Sequence, residues 1–336
     1  MLRALLLLAL APLSLSAADK LSIYWIDVEG GAATLMVTAA GETVLMDAGF
    51  GGFGDRDPKR IQHVLAHEAK AKRIDHFITS HFHGDHVGGL EALAKMVPIG
   101  RFIDHGDSVD KDRENARAMW ASYLALTEGK RHSVEPGERI SLTGAELTFV
   151  ASDGKRIEKP IGAGAANPLC ANARMQDEDR GENGRSVGFM VRAGNFEFVN
   201  LGDLSWNFQH NLACPVNLLG EIDLLQTPHH AVRDDIAPQS IWALKPAVVV
   251  MNNGPRKGGG ADSYETASRS PGLADLWQLH RSLENDDAHN TAETRIANTT
   301  DTGGCEGHWI RAAVRDDGSY TVFNSRNGHS KSYQAR

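Results

Sequence analysis

The chain has 336 residues, with 35 Lys and Arg against 43 Asp and Glu, a formal charge of −8 and 41% hydrophobic residues. That apolar content suffices to fill one large core or two small ones. The acidic balance lacks the basic field that non-specific nucleic-acid binding requires, so no long nucleic acid is expected as a partner.

Residues 1–18 carry one positive charge at Arg3, an apolar run and a small-residue exit, the pattern of a secretory signal peptide. Small residues at Ser16 and Ala18 place the start of the mature chain at Asp19, with Ala17 a neighbouring choice. An uncleaved anchor fits less well, since a lipid-spanning helix needs ~20 apolar residues. Loss of Arg3 takes the formal charge to −9. The expected address is exported, periplasmic or extracellular, with no membrane span after signal cleavage.

"KLSIYWIDVEGG", "AATLMVTAAG" and "ETVLMDAGFGG" then read as three short strands of a meander. Ile61, Val64, Leu65 and Ala69 recur at helical spacing, which predicts a helix over 57–72 with Asp57 and Pro58 at its start. "RIDHFITS" is a buried strand, "GGLEALAKM" a helix, "IGRFIDHG" a strand and "DRENARAMWASYLALTEG" a helix. "AELTFVAS", "SVGFMVRAG", "NFEFVNLGD", "EIDLLQTPHH" and "AVVVMNN" supply further strands, and "HWIRAAVRDDGSYTVFN" a hairpin turning at Asp316 to Gly318. This order implies an α/β architecture, two sheets packed together with helices outside. Residues 151–184, 254–272 and 284–306 lack periodicity and read as long loops, which are usually functional or mobile.

Between the strand "RIDHFITS" and the helix that follows lies "TSHFHGDHVGG", residues 79–89. One histidine there would read as a satisfied polar residue; the cluster His81, His83, Asp85 and His86 reads as metal-binding. In an extended loop, residues two apart point the same way, so His81 and His83 converge on one ion while Asp85 and His86 turn toward a second. Imidazole and carboxylate suit Zn2+, and also Mn2+ or Fe.

This HxHxDH motif resembles the signature of the metallo-β-lactamase superfamily, and the order of the other motifs resembles its competence-type (ComEC-like) branch. "WIDVEGGAAT" is similar to that branch's D-V-G-Q-G-D turn, "VLMDAG" to its L-I-D-x-G turn, "FVNLGD" to its strand ending in G-D, and "LLQTPHH" to its strand ending in a double histidine. The resemblance covers roughly residues 20–325. It implies a four-layer αββα sandwich formed by a single domain over residues 19–336. It also implies two divalent ions: His81 and His83 on the first, Asp85 and His86 on the second, Asp203 bridging both, and His229 completing the second site with His230 the alternate. Asp47 is implied as an outer partner fixing the tautomer of a ligand histidine.

The chain departs from the pattern twice. No histidine lies between Ser133 and Gln209, where many members place a third ligand of the first ion; Asn183, water or His105 are the candidates for that position. In the "VEGGAAT" turn Ala32 replaces an acid. Among other polar residues, Asn252 and Asn253 read equally as site or turn residues, and Asp104 and His105 as substrate contacts or caps. His280 has no partner pattern and reads as surface or core. Cys170, Cys214 and Cys305 make one disulfide and one leftover thiol, with the pairing open and no residue pattern that would activate a thiolate.

The resemblance thus implies an exported metal-dependent hydrolase using a metal-bound hydroxide, with Asp85 orienting the nucleophile. A small phosphodiester or other small-molecule ester is the expected substrate. The alternatives are a β-lactam or lactone hydrolase and a non-catalytic metal-stabilised binding protein.

Overall fold

The computed structural model describes residues 19–336; the expected signal segment lies outside the described residues. Three antiparallel strands come first: β1 (Leu21–Trp25), β2 (Thr34–Thr38) and β3 (Thr43–Met46). Helix α1 (Arg56–His63), strand β4 (Ile74–Ile78), a single turn α2 (Gly84–Val87) and helix α3 (Leu90–Met96) follow. Strand β5 (Ile99–Asp104), helix α4 (Glu114–Thr127) and strand β6 (Arg131–Ser133) complete this half. Strands β4, β5 and β6 extend the sheet in parallel from β3.

The second sheet begins antiparallel with β7 (Arg139–Leu142), β8 (Ala145–Ser152), β9 (Lys155–Arg156), β10 (Gly188–Ala193) and β11 (Phe196–Asn200). It continues through α5 (Trp206–Ala213), β12 (Leu224–Gln226), α6 (Pro238–Leu244) and β13 (Val248–Met251). Helix α7 (Ala261–Ser268), β14 (Asp275–His280) and β15 (Ile296–Asn298) end it, with strands β11 to β15 all parallel. The chain then returns to the first sheet as β16 (Ile310–Val314), β17 (Ser319–Asn324) and β18 (Ser330–Gln334), docked beside β1.

Three apolar layers hold this together. Trp25, Phe149, Phe189, Phe198, Trp277 and Tyr320 fill the space between the sheets. Leu45, Ile61, Leu93, Phe102 and Tyr123 pack the first sheet against its helices, and Leu225, Ile241 and Met251 do the same for the second. The architecture is the four-layer αββα sandwich expected from the sequence. Strand β13 is buried along its whole length, which is why it reads as an unbroken apolar run, and β12 is buried too but ends in the polar Gln226. Among the described residues no helix is long and apolar enough to cross a membrane.

Several local expectations change. The helix predicted over 57–72 runs from Arg56 and passes at Val64 into a wider turn ending at Glu68. Asp57 is not its cap: Asp57 accepts from the Phe50 N–H at 2.8 Å, while Asp55 takes the cap position. The three long loops also contain structure. The first carries β9 and two 3₁₀ turns, Pro168–Asn172 and Asn183–Arg185, and a disulfide from Cys170 to Cys214, leaving Cys305 free. The second carries α7 and the third β15. Helix α7 buries only Ser263 and Ala267 and β15 spans three residues, too little for a periodic signal.

A polar clamp sets the register of the two sheets. Gln226 Oε1 accepts from Trp25 Nε1 (2.9 Å), Thr34 Oγ1 (2.7 Å) and Asn200 Nδ2 (2.9 Å), all buried. Gln226→Leu would strand three buried donors at ~1 kcal/mol or more each. The expected result is a loss of about 3 kcal/mol in denaturant unfolding, with the midpoint moving and the slope unchanged.

Candidate metal centre

Apart from Asn183, which lies in the 3₁₀ turn before β10, the candidate residues sit at or just past the C-terminal ends of parallel strands, where open α/β sheets build their sites. Asp47 follows β3, the histidine cluster β4, His105 β5, Asp203 β11, the double histidine β12 and Asn252 β13. Locally, His83 is extended (φ −86°, ψ 151°) and the chain then turns helical, so Asp85 and His86 project from the first turn of α2 rather than from the extended loop the spacing suggested. Asp85 is reached closely by the Glu29–Ala32 turn: the Ala32 N–H donates to its carbonyl at 3.1 Å, and a Cβ on Gly31 would stand 2.4 Å from that oxygen. A side chain at position 31 would push the turn away.

Four ligand-type atoms converge: Asp85 Oδ2, His86 Nε2, Asp203 Oδ2 and His230 Nε2. His86 Nε2 lies 3.1 Å from Asp203, 3.1 Å from His230 and 3.2 Å from Asp85. His230 Nε2 lies 3.3 Å from both Asp85 and Asp203. Metal bonds of about 2.0–2.1 Å at tetrahedral angles set ligand atoms about 3.3–3.4 Å apart. These five separations fall just inside that edge length, so the residues fit a divalent ion.

Beside this group, His81 Nε2 and His83 Nδ1 face each other at 2.9 Å, with Asp203 Oδ2 3.9 Å from His81 Nε2. His229 Nε2 stands 3.6 Å from the same Asp203 oxygen and 3.3 Å from Asn183 Nδ2. Of the double histidine, the alternate, His230, is the one that joins Asp85 and His86, while the first choice, His229, turns toward Asn183. The cause is backbone geometry. His229, His230 and Ala231 have φ of 45°, 51° and 55°, a left-handed run that breaks the alternation a strand would continue. Gly258 packs against it, since a Cβ there would stand 2.2 Å from the His230 carbonyl oxygen.

Each imidazole but one is pinned from behind through Nδ1. Ser80 Oγ holds His81 at 3.0 Å, Asp47 holds His86 at 2.8 Å, the Asn252 backbone carbonyl lies 3.3 Å from His230, and Asp235 pairs with His229. These contacts turn the Nε2 atoms inward, the arrangement in which outer partners orient metal-binding histidines. Asp47 also accepts from the Ser80 N–H (2.8 Å) and Oγ (2.7 Å), tying β3 to the cluster.

The charges are strongly coupled. Burial opposes ionisation of Asp203, but the charges of His230 and His86 outweigh it and hold its carboxyl well below the usual range. Burial likewise disfavours charge on His86, and Asp203, Asp85 and Asp47 overcome it, raising His86 well above an ordinary histidine. His81, fully buried and beside His86, is pushed well below. One buried and one half-buried carboxylate, Asp203 and Asp85, sharing a pocket with neutral and cationic imidazoles form a donor set in which a divalent cation would replace protons.

Other expectations separate from the cluster. His105 is buried with Nε2 on Glu182 Oε2 at 2.9 Å, and Asp104 is held by Tyr123, Arg131 and Ser133. Asn253 bonds backbone carbonyls at Gly254 and His280. Sequence reasoning missed Glu182, Asp235 and Lys257, whose ammonium pairs with Asp85. Nothing in their local pattern marks them; only the packing of distant segments does.

Glu182 matters most of these, because it accepts the Phe82 N–H (2.9 Å) between His81 and His83, as well as Ser108 Oγ (2.6 Å) and the Val109 N–H (2.7 Å). Burial raises its pKa, but the hydrogen bond and charge of His105 and these donors bring it down to about 2. A carboxyl depressed in the folded state contributes stability above its ordinary value of 4.5 that is lost as pH falls toward 2. Wild type is therefore expected to lose about 3 kcal/mol across that window through this group. Glu182→Gln should flatten that part of the stability curve.

A family model described as the metallo-beta-lactamase superfamily matches residues 26–140, about a third of the chain, and supports that superfamily fold. No curated protein matches. Among solved structures, a metallo-beta-lactamase with a HARLDQ motif from Cronobacter sakazakii is 17% identical over 56% of this chain, with a TM-score of 0.34; the chain spans 64% of its length. The metallo-beta-lactamase fold protein YhfI from Bacillus subtilis is 13% identical over 77% of this chain and 96% of its own, with a TM-score of 0.45. CmlA, a diiron beta-hydroxylase from Streptomyces venezuelae, is 14% identical over 75% of this chain and 47% of its own, with a TM-score of 0.42.

Proposed function

We propose that the chain is an exported, dinuclear metal-dependent hydrolase of the competence-type (ComEC-like) branch, acting on small anionic esters, phosphodiesters foremost. The observation that carries this is the convergence of Asp85, His86, Asp203 and His230 at tetrahedral edge lengths beside a second pair, His81 and His83. In this reading His81, His83 and His229 would hold one ion and Asp85, His86 and His230 the other, with Asp203 shared between the two groups. His229 then supplies the third imidazole whose absence from residues 134–208 had left the first site short.

Two such ions supply Lewis acidity at the scissile oxygen and lower the pKa of water. The protein's own groups do the positioning. Asp85 orients the attacking water through its carboxylate, and Asp47, Ser80, Asn252 and Asp235 keep the imidazoles in place. Lys257, which pairs with Asp85 and lies 5.7 Å from the Phe50 ring centroid, sets a positive charge at the rim. Were an ion to take up Asp85, that charge would be left to face a substrate carrying a negative one, which supports a phosphodiester over a neutral ester. The Cys170–Cys214 disulfide suits an oxidising compartment and supports export.

The test is metal removal. The purified protein is expected to hydrolyse bis(p-nitrophenyl) phosphate, lose that activity on dialysis against a chelator and regain it with Zn2+ or Mn2+. Turnover of nitrocefin with an inert phosphodiester would move the assignment to β-lactams; a metal-binding protein inert across an ester panel would make it a binding protein.

A further inference from the structure

A second cluster of donors lies at the ends of β1, β14 and β15, sharing no residue with the centre above. Asp27, Glu29, His280 and Cys305 each offer an atom within 4.8 Å of the others. His280 Nε2 is 2.6 Å from Asp27 Oδ1, and Cys305 Sγ is 3.1 Å from Asp27 Oδ2, 3.9 Å from His280 Nε2 and 3.4 Å from Asn298 Oδ1. Asp27 and His280 are fully buried, and the Glu29 side chain is 3% exposed. Glu29 Oε2 is buried and has no hydrogen-bond partner among the described residues. An unpaired buried carboxylate oxygen is costly unless something binds it.

We propose that Asp27, Glu29, His280 and Cys305 form a separate, sulfur-containing site for a single thiophilic divalent cation of the zinc class, structural rather than catalytic. Four protein donors of three types, three of them buried and Cys305 half-buried, match the four protein ligands of structural zinc, whereas catalytic sites keep a position open. Arg60 completes the charge balance. Its Nη1 lies 2.7 Å from Asp27 Oδ2 and 3.1 Å from Glu29 Oε1, and its Nη2 donates to the Cys305 carbonyl at 2.9 Å. Arg56 stands farther off, 3.9 Å from Glu29 Oε1, and is itself paired with Asp57, so a divalent ion bound here would be balanced by the two carboxylates and by the thiolate that its binding creates. As the metal–sulfur bond forms, the thiol proton leaves to solvent.

The same residues do not make a nucleophile. Asp27 stands between the thiol and the imidazole, taking a hydrogen bond from each, so His280 is not placed to receive the thiol proton. Burial and the Asp27 charge also push the Cys305 thiol well above its ordinary range, away from a free thiolate. A metal ion would instead tie three strand ends together and brace the Glu29–Ala32 turn on which Asp85 rests.

Cobalt substitution tests this in the full chain. Cys170 and Cys214 are joined, so Cys305 is the sole thiol, and the histidine-rich centre contains no sulfur. Protein loaded with Co2+ is expected to show a near-ultraviolet thiolate-to-cobalt charge-transfer band. Cys305→Ser should lose it while keeping the visible bands of cobalt at the histidine-rich centre. Asp203→Asn should keep it while losing those visible bands, so failure of either site is read separately. A wild-type protein with visible cobalt bands and no charge-transfer band, or a band that survives in Cys305→Ser, overturns the proposal. Zinc-edge X-ray absorption of wild type probes the same bond without a variant, since a sulfur neighbour can come only from Cys305.

Discussion

On the dinuclear reading proposed above, Asp203→Asn is expected to release both ions of the histidine-rich centre and to lower kcat/KM for a phosphodiester on the order of 10³-fold, more than the ~10–100-fold typical of an outer partner. Among the described residues, Asp203 Oδ2 is the one carboxylate oxygen within 4 Å of His81, His86, His229 and His230 alike. The substitution keeps the shape and removes the charge. Burial alone would protonate a carboxyl there; His230 and His86 keep it ionised, and without it the site loses the anion around which both halves are arranged. Metal content by atomic emission separates this from a binding defect: the prediction is defeated if Asp203→Asn retains the wild-type metal stoichiometry. Thermal unfolding of metal-free wild type and variant should be closer than that of the loaded proteins, because a bound ion stabilises only the folded state that holds it.

Much of this centre is legible in the sequence because its residues are local. His81, His83, Asp85 and His86 occupy six consecutive positions after a strand, and Asp47, Asp203 and the double histidine each end a recognisable apolar run. Strand ends announce themselves, and the fold gathers them. What is not legible depends on torsion angles or on distant packing. The choice between His229 and His230 rests on three left-handed residues in a row, which the side-chain types do not encode. Glu182 reaches the histidine loop from 100 residues away, and Lys257 reaches Asp85 across 172. Each sits in a segment whose composition reads as loop. His280 and Cys305 illustrate the same limit: one ends a buried strand and the other sits in an aperiodic stretch, and only the return of the chain past β15 sets them beside Asp27.

The division of the double histidine yields the second large effect, read as a pattern of metal loss in paired variants. His230→Ala and Asp85→Ala should each lose about one ion relative to wild type, and the double variant should lose no more than either, because both residues serve the same ion. His229→Ala combined with Asp85→Ala should lose about two, since His229 turns to the other side of Asp203. Activity should follow, with the first pair strongly non-additive and the second falling to the level of Asp203→Asn. If His229→Ala and Asp85→Ala instead behave as one unit while His230→Ala adds a further loss, the left-handed turn does not place these imidazoles as described. The second ion would then be held by His229, in the order the sequence pattern implies.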